Sequence, residues 1–140
     1  MVIDSINDGI VIDHIRAGLG MELYRVLELD KLDCQVAIIQ NAASRKLGKK
    51  DVIKIDSPIH VDLDVLGYLD PDCTVNLIRG GAVAEKYSLV LPATITGVIR
   101  CKNPRCITSV EPELPQVFRL TDKAHKTYRC IYCDTVAKRP

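Results

Sequence analysis

The 140-residue sequence predicts an α+β protein in two parts, a larger open sheet with helices and a small all-β module closed by cysteines. Three observations predict it. Short β-branched segments alternate with amphipathic ones over the first ninety or so residues. Two close cysteine pairs, Cys101-Lys-Asn-Pro-Arg-Cys106 and Cys130-Ile-Tyr-Cys133, mark the last forty. Charge divides the same way: residues 101–140 hold eight of the 19 Lys and Arg and four of the 18 acids, a net +4, leaving 11 bases against 14 acids, −3, for the rest. A hydrophobic content of 47% suffices for a core in the larger part.

The elements follow in order. Gly9-Ile-Val-Ile-Asp-His-Ile15 is short and β-branched, which predicts a strand. Leu19, Leu23, Val26 and Leu27 recur at i, i+4, i+7 and i+8, the stripe of an amphipathic helix over 17–27. Cys34 to Ile39 reads as a second strand, 41–50 as a polar loop closed by Gly48, and 51–56 as a third strand ended by Ser57-Pro58. Asp62 is placed to cap a short helix whose Val65, Leu66 and Leu69 face inward. Thr74–Ile78 and Ala82–Ser88 bracket Arg79-Gly80-Gly81, a hairpin signal because two glycines accept the positive φ of a primed turn.

This β-α-β-β-α-β order plus one strand predicts a ferredoxin-like arrangement. Its exposed sheet edges predict pairing with a second copy, a homodimer. Pro92-Ala-Thr-Ile-Thr-Gly97 marks the seam, which sets domains of 1–93 and 94–140. Forty residues cannot bury enough surface to fold unaided, the situation in which a metal supplies the folding energy. Cys34 and Cys73, outside the pattern, read as small buried hydrophobes.

The 23 residues between Cys106 and Cys130 separate two loops that can each wrap one ion, which predicts a tetrahedral site of Cys101, Cys106, Cys130 and Cys133. Four thiolates leave no open position, so one Zn2+ per chain is expected to be structural. Redox thiols, free thiols and disulfides are the alternatives. The opening residues show no basic n-region, signal-length apolar run or small-residue cleavage site, which predicts a cytoplasmic chain and disfavours disulfides. Cys130 to Cys133 follows Lys123-Ala-His-Lys-Thr-Tyr-Arg129, a polar segment of strand-like alternation, rather than a strand-to-helix turn, which disfavours redox work. His125 reads as unliganded. No apolar run approaches ~18 residues, so no membrane contact is expected.

Catalytic motifs are absent: there is no Gly-x-Ser-x-Gly, His-Glu-x-x-His or phosphate-binding Gly-x-x-x-x-Gly-Lys-Ser/Thr. Asp13 and His14 adjoin, but neighbours on a regular strand point to opposite faces, which speaks against an acid/base dyad. Lys50, Lys54 and Asp56 share a parity, and Lys86 lies on the last hairpin strand. If the sheet gathers them they form a cationic floor for phosphates; solvated surface lysines are the bland alternative.

In combination, Gly9–Ile15, Gly48-Lys-Lys-Asp-Val-Ile-Lys-Ile55, Thr74-Val-Asn76 and Cys-x₄-Cys…Cys-x-x-Cys with Asn103 and Glu111-Pro112 make the chain resemble the regulatory chains of aspartate carbamoyltransferase from Ile3 to Cys133. The resemblance implies a non-catalytic subunit in pyrimidine biosynthesis. It implies nucleoside triphosphate effectors, CTP and UTP inhibiting and ATP activating, at Ile3, Ile6, Val11, Asp13, His14, Lys50, Val52, Lys54, Asn76, Ile78, Val83 and Lys86. It further implies that the zinc domain docks the catalytic chain, with Asn103 and Glu111 at the interface, in an assembly of two catalytic trimers and three regulatory dimers. Lys102 and Arg105 stand where relatives can have neutral residues, which implies a more acidic partner surface.

The rival readings are a zinc-ribbon adaptor for nucleic acid and a stand-alone nucleotide sensor. The adaptor has a basic end but only Phe118, Tyr128 and Tyr132 as stacking partners and no Lys/Arg-rich run, so no nucleic-acid partner is expected.

Overall fold

The computed structural model describes residues 6–137. The chain forms two compact units, Met1–Val90 and Leu91–Pro140.

The first unit is a five-stranded antiparallel sheet with two short helices. Strand β1 (Gly9–Arg16) leads to α1 (Gly20–Val26), a 3-10 turn at Leu29–Lys31, then β2 (Val36–Ser44) and β3 (Gly48–Ile55). Helix α2 (Leu63–Leu69) follows, then β4 (Thr74–Arg79) and β5 (Ala82–Ser88), and the sheet order is β2-β3-β1-β4-β5. Alternation sorts the side chains. Ile10, Ile12, Ile53, Ile55 and Val75 are buried on one face, and the core is completed by Leu23 of α1 and by Val65, Leu66, Tyr68 and Leu69 of α2. Val11, Asp13, Lys54 and Asn76 take the alternate positions and face the other way.

Local signals explain the boundaries. Helix α1 starts at Gly20, three residues later than its apolar stripe suggests, because Gly18 has φ 98 and breaks the helical backbone. Asp62 caps α2: its Oδ1 accepts from Asp64 N–H at 3.0 Å and Val65 N–H at 3.3 Å. Gly80 and Gly81, with φ 58 and 79, make the β4–β5 turn.

The expected polar loop over 41–50 is instead mostly strand. Ala42 pairs with Lys50, Ala43 with Lys49 and Ser44 with Gly48. Backbone groups pair there whatever the side chains are, so a hairpin forms where hydrophobic patterning gives no signal.

The second unit is a three-stranded sheet in the order β6-β7-β8: β6 (Thr94–Thr96), β7 (Val117–Asp122) and β8 (Thr127–Cys130). One turn of helix, α3 (Ile107–Val110), interrupts the all-β expectation. The core is small, centred on Ile95, Phe118 and Tyr128, and Tyr128 Oη donates to Pro92 O at 2.6 Å. The alternating segment before Cys130 is strand only from Thr127. Residues 123–126 form the turn, Lys126 has φ 53, and exposed His125 places Nδ1 2.7 Å from Asp122 Oδ2.

Gly9 tests the register of β1 against β3. A Cβ there would lie 2.1 Å from Ile55 O, a backbone atom that cannot swing aside. Gly9→Ala is expected to cost about 2–3 kcal/mol of stability in denaturant unfolding of the first unit. An unchanged midpoint would contradict the pairing.

Candidate functional site

Two clusters of chemically capable side chains stand out, one in each unit. In the second unit the two cysteine loops converge, and the sulfurs of Cys101, Cys106, Cys130 and Cys133 all lie within 4.8 Å of one another. The Cys101–Cys133 and Cys106–Cys130 sulfur pairs are 3.5 and 3.7 Å apart. A metal–sulfur distance of about 2.3 Å puts the edges of a regular tetrahedron at about 3.8 Å, so the spacing fits one four-coordinate ion.

The surroundings prepare the sulfurs for negative charge. Backbone N–H groups of Asn103 and of Tyr132 and Cys133 point at Cys101 and Cys130. The hydroxyls of Thr108 and Thr135 lie 3.1 Å from Cys106 Sγ and Cys133 Sγ. Burial pushes the Cys101 thiol up to about 12, whereas the Thr135 hydroxyl leads the contacts that hold Cys133 down at about 6. Four thiolates this close repel one another, and a cation among them makes them compatible. The residues present therefore fit a structural metal with no open position.

Asn103 builds the first loop. Its Oδ1 accepts from Arg105 N–H at 3.0 Å, and its carbonyl accepts from Cys106 N–H at 3.1 Å and Ser109 Oγ at 3.0 Å. Glu111 is exposed at the end of α3. Ile107, Val110, Ile131 and Tyr132 are exposed on or beside the same loops, an apolar set that the sequence reading did not single out.

In the first unit the strand register lines up a continuous row across the outward face of the sheet. Ala37 pairs with Lys54, Lys54 with Val11, Val11 with Asn76 and Asn76 with Lys86. Lys54 and Lys86 thus share one face, three strand spacings or about 14 Å apart at the backbone. A pocket of about 440 Å³ opens on this face, lined by Val11, Asp13, Ile39, Val52, Lys54, Asn76, Ile78 and Val83. Lys50 Nζ joins it by an ion pair of 2.9 Å to Asp13 Oδ1.

Asp13 and His14 depart from the expectation of opposed neighbours. His14 has φ 57, at a register shift between Ile12 and Ile15, and this bulge brings its Nδ1 to 4.0 Å from Asp13 Oδ2 and 3.1 Å from Thr74 Oγ1. The regular-strand argument against their meeting fails here because the strand is not regular. Burial pushes the Asp13 carboxyl up, but the Lys50 hydrogen bond, the His14 N–H and the Lys50 charge outweigh it and hold it below the ordinary carboxylate value.

The pocket gathers seven of the sequence-derived positions, Val11, Asp13, Val52, Lys54, Asn76, Ile78 and Val83, with Lys50 and His14 attached through Asp13 and Lys86 beside Asn76. Ile6 is not part of its lining but lies beside Gly9. Asp56 is exposed just past β3 and does not line it either. Ile3 lies outside the described residues. Ile39 is the addition: its pairing with Val52 puts it on this face, a fact of register that β2 read alone does not contain.

A family model described as the allosteric domain of the aspartate carbamoyltransferase regulatory chain matches residues 1–90, and one described as the metal binding domain of that chain matches 93–140. The aspartate carbamoyltransferase regulatory chain of Clostridium botulinum (strain Hall) is 50% identical over 136 residues, covering 97% of this chain and 93% of its own length. Its counterpart in Clostridium tetani is 50% identical over 139 residues, covering 99% and 96%. That of Bifidobacterium longum is 44% identical over 138 residues, covering 99% of each chain.

Stripping the metal with a chelator is expected to abolish the near-UV signal of buried Tyr128 and Phe118 while the far-UV signal of the five-stranded sheet persists. Retention of that aromatic signal without metal would contradict a structural role. For the Lys50–Asp13 pair, Lys50→Met leaves burial less opposed, and the Asp13 carboxyl is expected to titrate higher by ¹³C NMR. Because the wild-type carboxyl is held low, its stabilisation is complete above about pH 4 and is lost as pH falls through its folded value. In Lys50→Met most of that acid-labile increment disappears.

Proposed function

The chain belongs to the family of aspartate carbamoyltransferase regulatory chains, regulatory rather than catalytic subunits, and from that premise we propose that the outward sheet face binds the effector nucleotides. The observation that carries this reading is the row Lys54–Val11–Asn76–Lys86, which sets two cations and a polar side chain along one sheet face, where Lys54 and Asn76 line a pocket with apolar walls and Lys86 stands beside Asn76. Such a face suits a ligand with a flat apolar end and an anionic tail. Lys54 and Lys86 hold ribose and phosphate groups, and Asp13 meets the ligand's polar edge. His14 and Lys50 favour the polyphosphate, and Ile78, Val83, Val11, Val52 and Asn76 supply the remaining surface. Ile3 and Ile6 complete the site by family resemblance.

The domains of this reading are a nucleotide-binding part over 1–93, for which the element and strand order support a ferredoxin-like reading, and a docking part over 94–140. One Zn2+ held by Cys101, Cys106, Cys130 and Cys133 shapes the docking part, which presents Asn103 and Glu111 to the catalytic chain. Its basic excess is not put to nucleic acid: Phe118 and Tyr128 are each 1% exposed, which removes two of three candidate stacking partners. The regulatory chains pair through a sheet edge, and three such dimers join two catalytic trimers in the cytoplasm.

Regulation is then a matter of linkage. CTP or UTP inhibits and ATP activates only if each binds the low-activity and high-activity assemblies with different free energies, typically by about 1–3 kcal/mol per coupled site. Aspartate saturation of the reconstituted holoenzyme is expected to shift to higher concentration with CTP and to lower with ATP; curves unmoved by both would sink the regulatory claim. Lys54→Ala and Lys86→Ala are each expected to weaken CTP binding by about 10- to 100-fold in calorimetry, the scale of a lost charge-assisted bond.

A further inference from the structure

Asp51 is fully buried near the middle of β3, on the face opposite Lys50. Three backbone N–H groups solvate its carboxylate. Oδ1 accepts from Asn41 at 3.0 Å, and Oδ2 accepts from Gly18 at 3.1 Å and Gly20 at 2.9 Å. The approach to α1 is as close as glycine permits, since a Cβ on Gly20 would lie 2.8 Å from Asp51 Oδ2.

Both strands beside β3 lose regular register at this level. β1 shifts between Ile12 and Ile15, where His14 has φ 57, and β2 shifts between Ile39 and Ala42, where Asn41 has φ 59. A bulge leaves an extra residue outside the ladder, and its N–H needs another acceptor. Asp51 supplies that acceptor for Asn41 and, through Gly18 and Gly20, anchors the chain where it leaves β1. The β1 bulge in turn places Asp13 against Lys50 and His14 against Thr74.

We propose that Asp51 is a positioning residue for the nucleotide site: by holding the β2 bulge through Asn41 and the chain just past β1 through Gly18 and Gly20, it fixes the Lys50–Asp13 pair on the outward face. It touches no ligand and acts from the opposite side of the sheet. The inference rests on reading that face as the nucleotide site.

The test uses the full chain and two readouts, the titration of Asp13 by ¹³C NMR without ligand and CTP affinity by calorimetry. Asp51→Asn keeps the volume but turns one acceptor into a donor facing N–H groups. Asp13 is expected to titrate higher than in wild type and the CTP Kd to rise about tenfold, on the scale of one disrupted hydrogen bond. Val65→Ala, a core change in α2 away from both bulges, moves neither readout. If Asp51→Asn does not fold, Gly20→Ala, which presses a methyl onto Oδ2, shifts both in the same direction. An unmoved Asp13 titration in a folded variant overturns the proposal. Failure of the wild-type chain to bind CTP overturns the nucleotide reading instead, and the Asp13 titration still decides whether Asp51 fixes the pair.

Discussion

Val11 pairs with Lys54 on one side and Asn76 on the other, and this double pairing fixes which residues share the outward face of the sheet. A slip of one residue in β1 would turn Val11 and Asp13 into the core and Ile10 and Ile12 out of it. The fully buried Ile12, Ile53 and Ile55 therefore hold the register that the outward face needs. Core and site are two readings of one alternation: the helices cover one set of side chains, and the pocket is formed by the other.

The second unit rests on a different constraint. Its sheet has three short strands and few large buried side chains. Burial of this extent falls short of the conformational entropy of some forty residues, and a four-sulfur metal centre makes up the difference. The metal also decides what the surface offers, since the two loops it closes bear Asn103, Ile107, Ile131 and Tyr132. The hydrogen bonds of Asn103 keep its loop folded, and exposed apolar side chains stand on or beside the same loops.

What the sequence made legible was local. Asp62 capping α2, the Gly80-Gly81 turn and the paired cysteines each signal within a few residues, and each has its expected place. What it left illegible depends on partners far along the chain. The β2–β3 hairpin runs through Ala42 to Lys50 on backbone pairing alone, without an apolar pattern. Ile39 joins the pocket only through Val52, and the meeting of Asp13 with His14 needs a bulge with no glycine to announce it. Asp51 looks like one more charge on a polar stretch until three N–H groups converge on it.

The central claim is that the outward face, and not the helix-covered face, receives the nucleotide. Amide and side-chain chemical-shift mapping of the full chain during a CTP titration tests it most directly. The account predicts saturable shifts centred on Val11, Asp13, Lys54, Asn76 and Lys86, with Leu66 and Tyr68 of α2 little moved. Shifts centred on α2, or none at millimolar CTP, would contradict it.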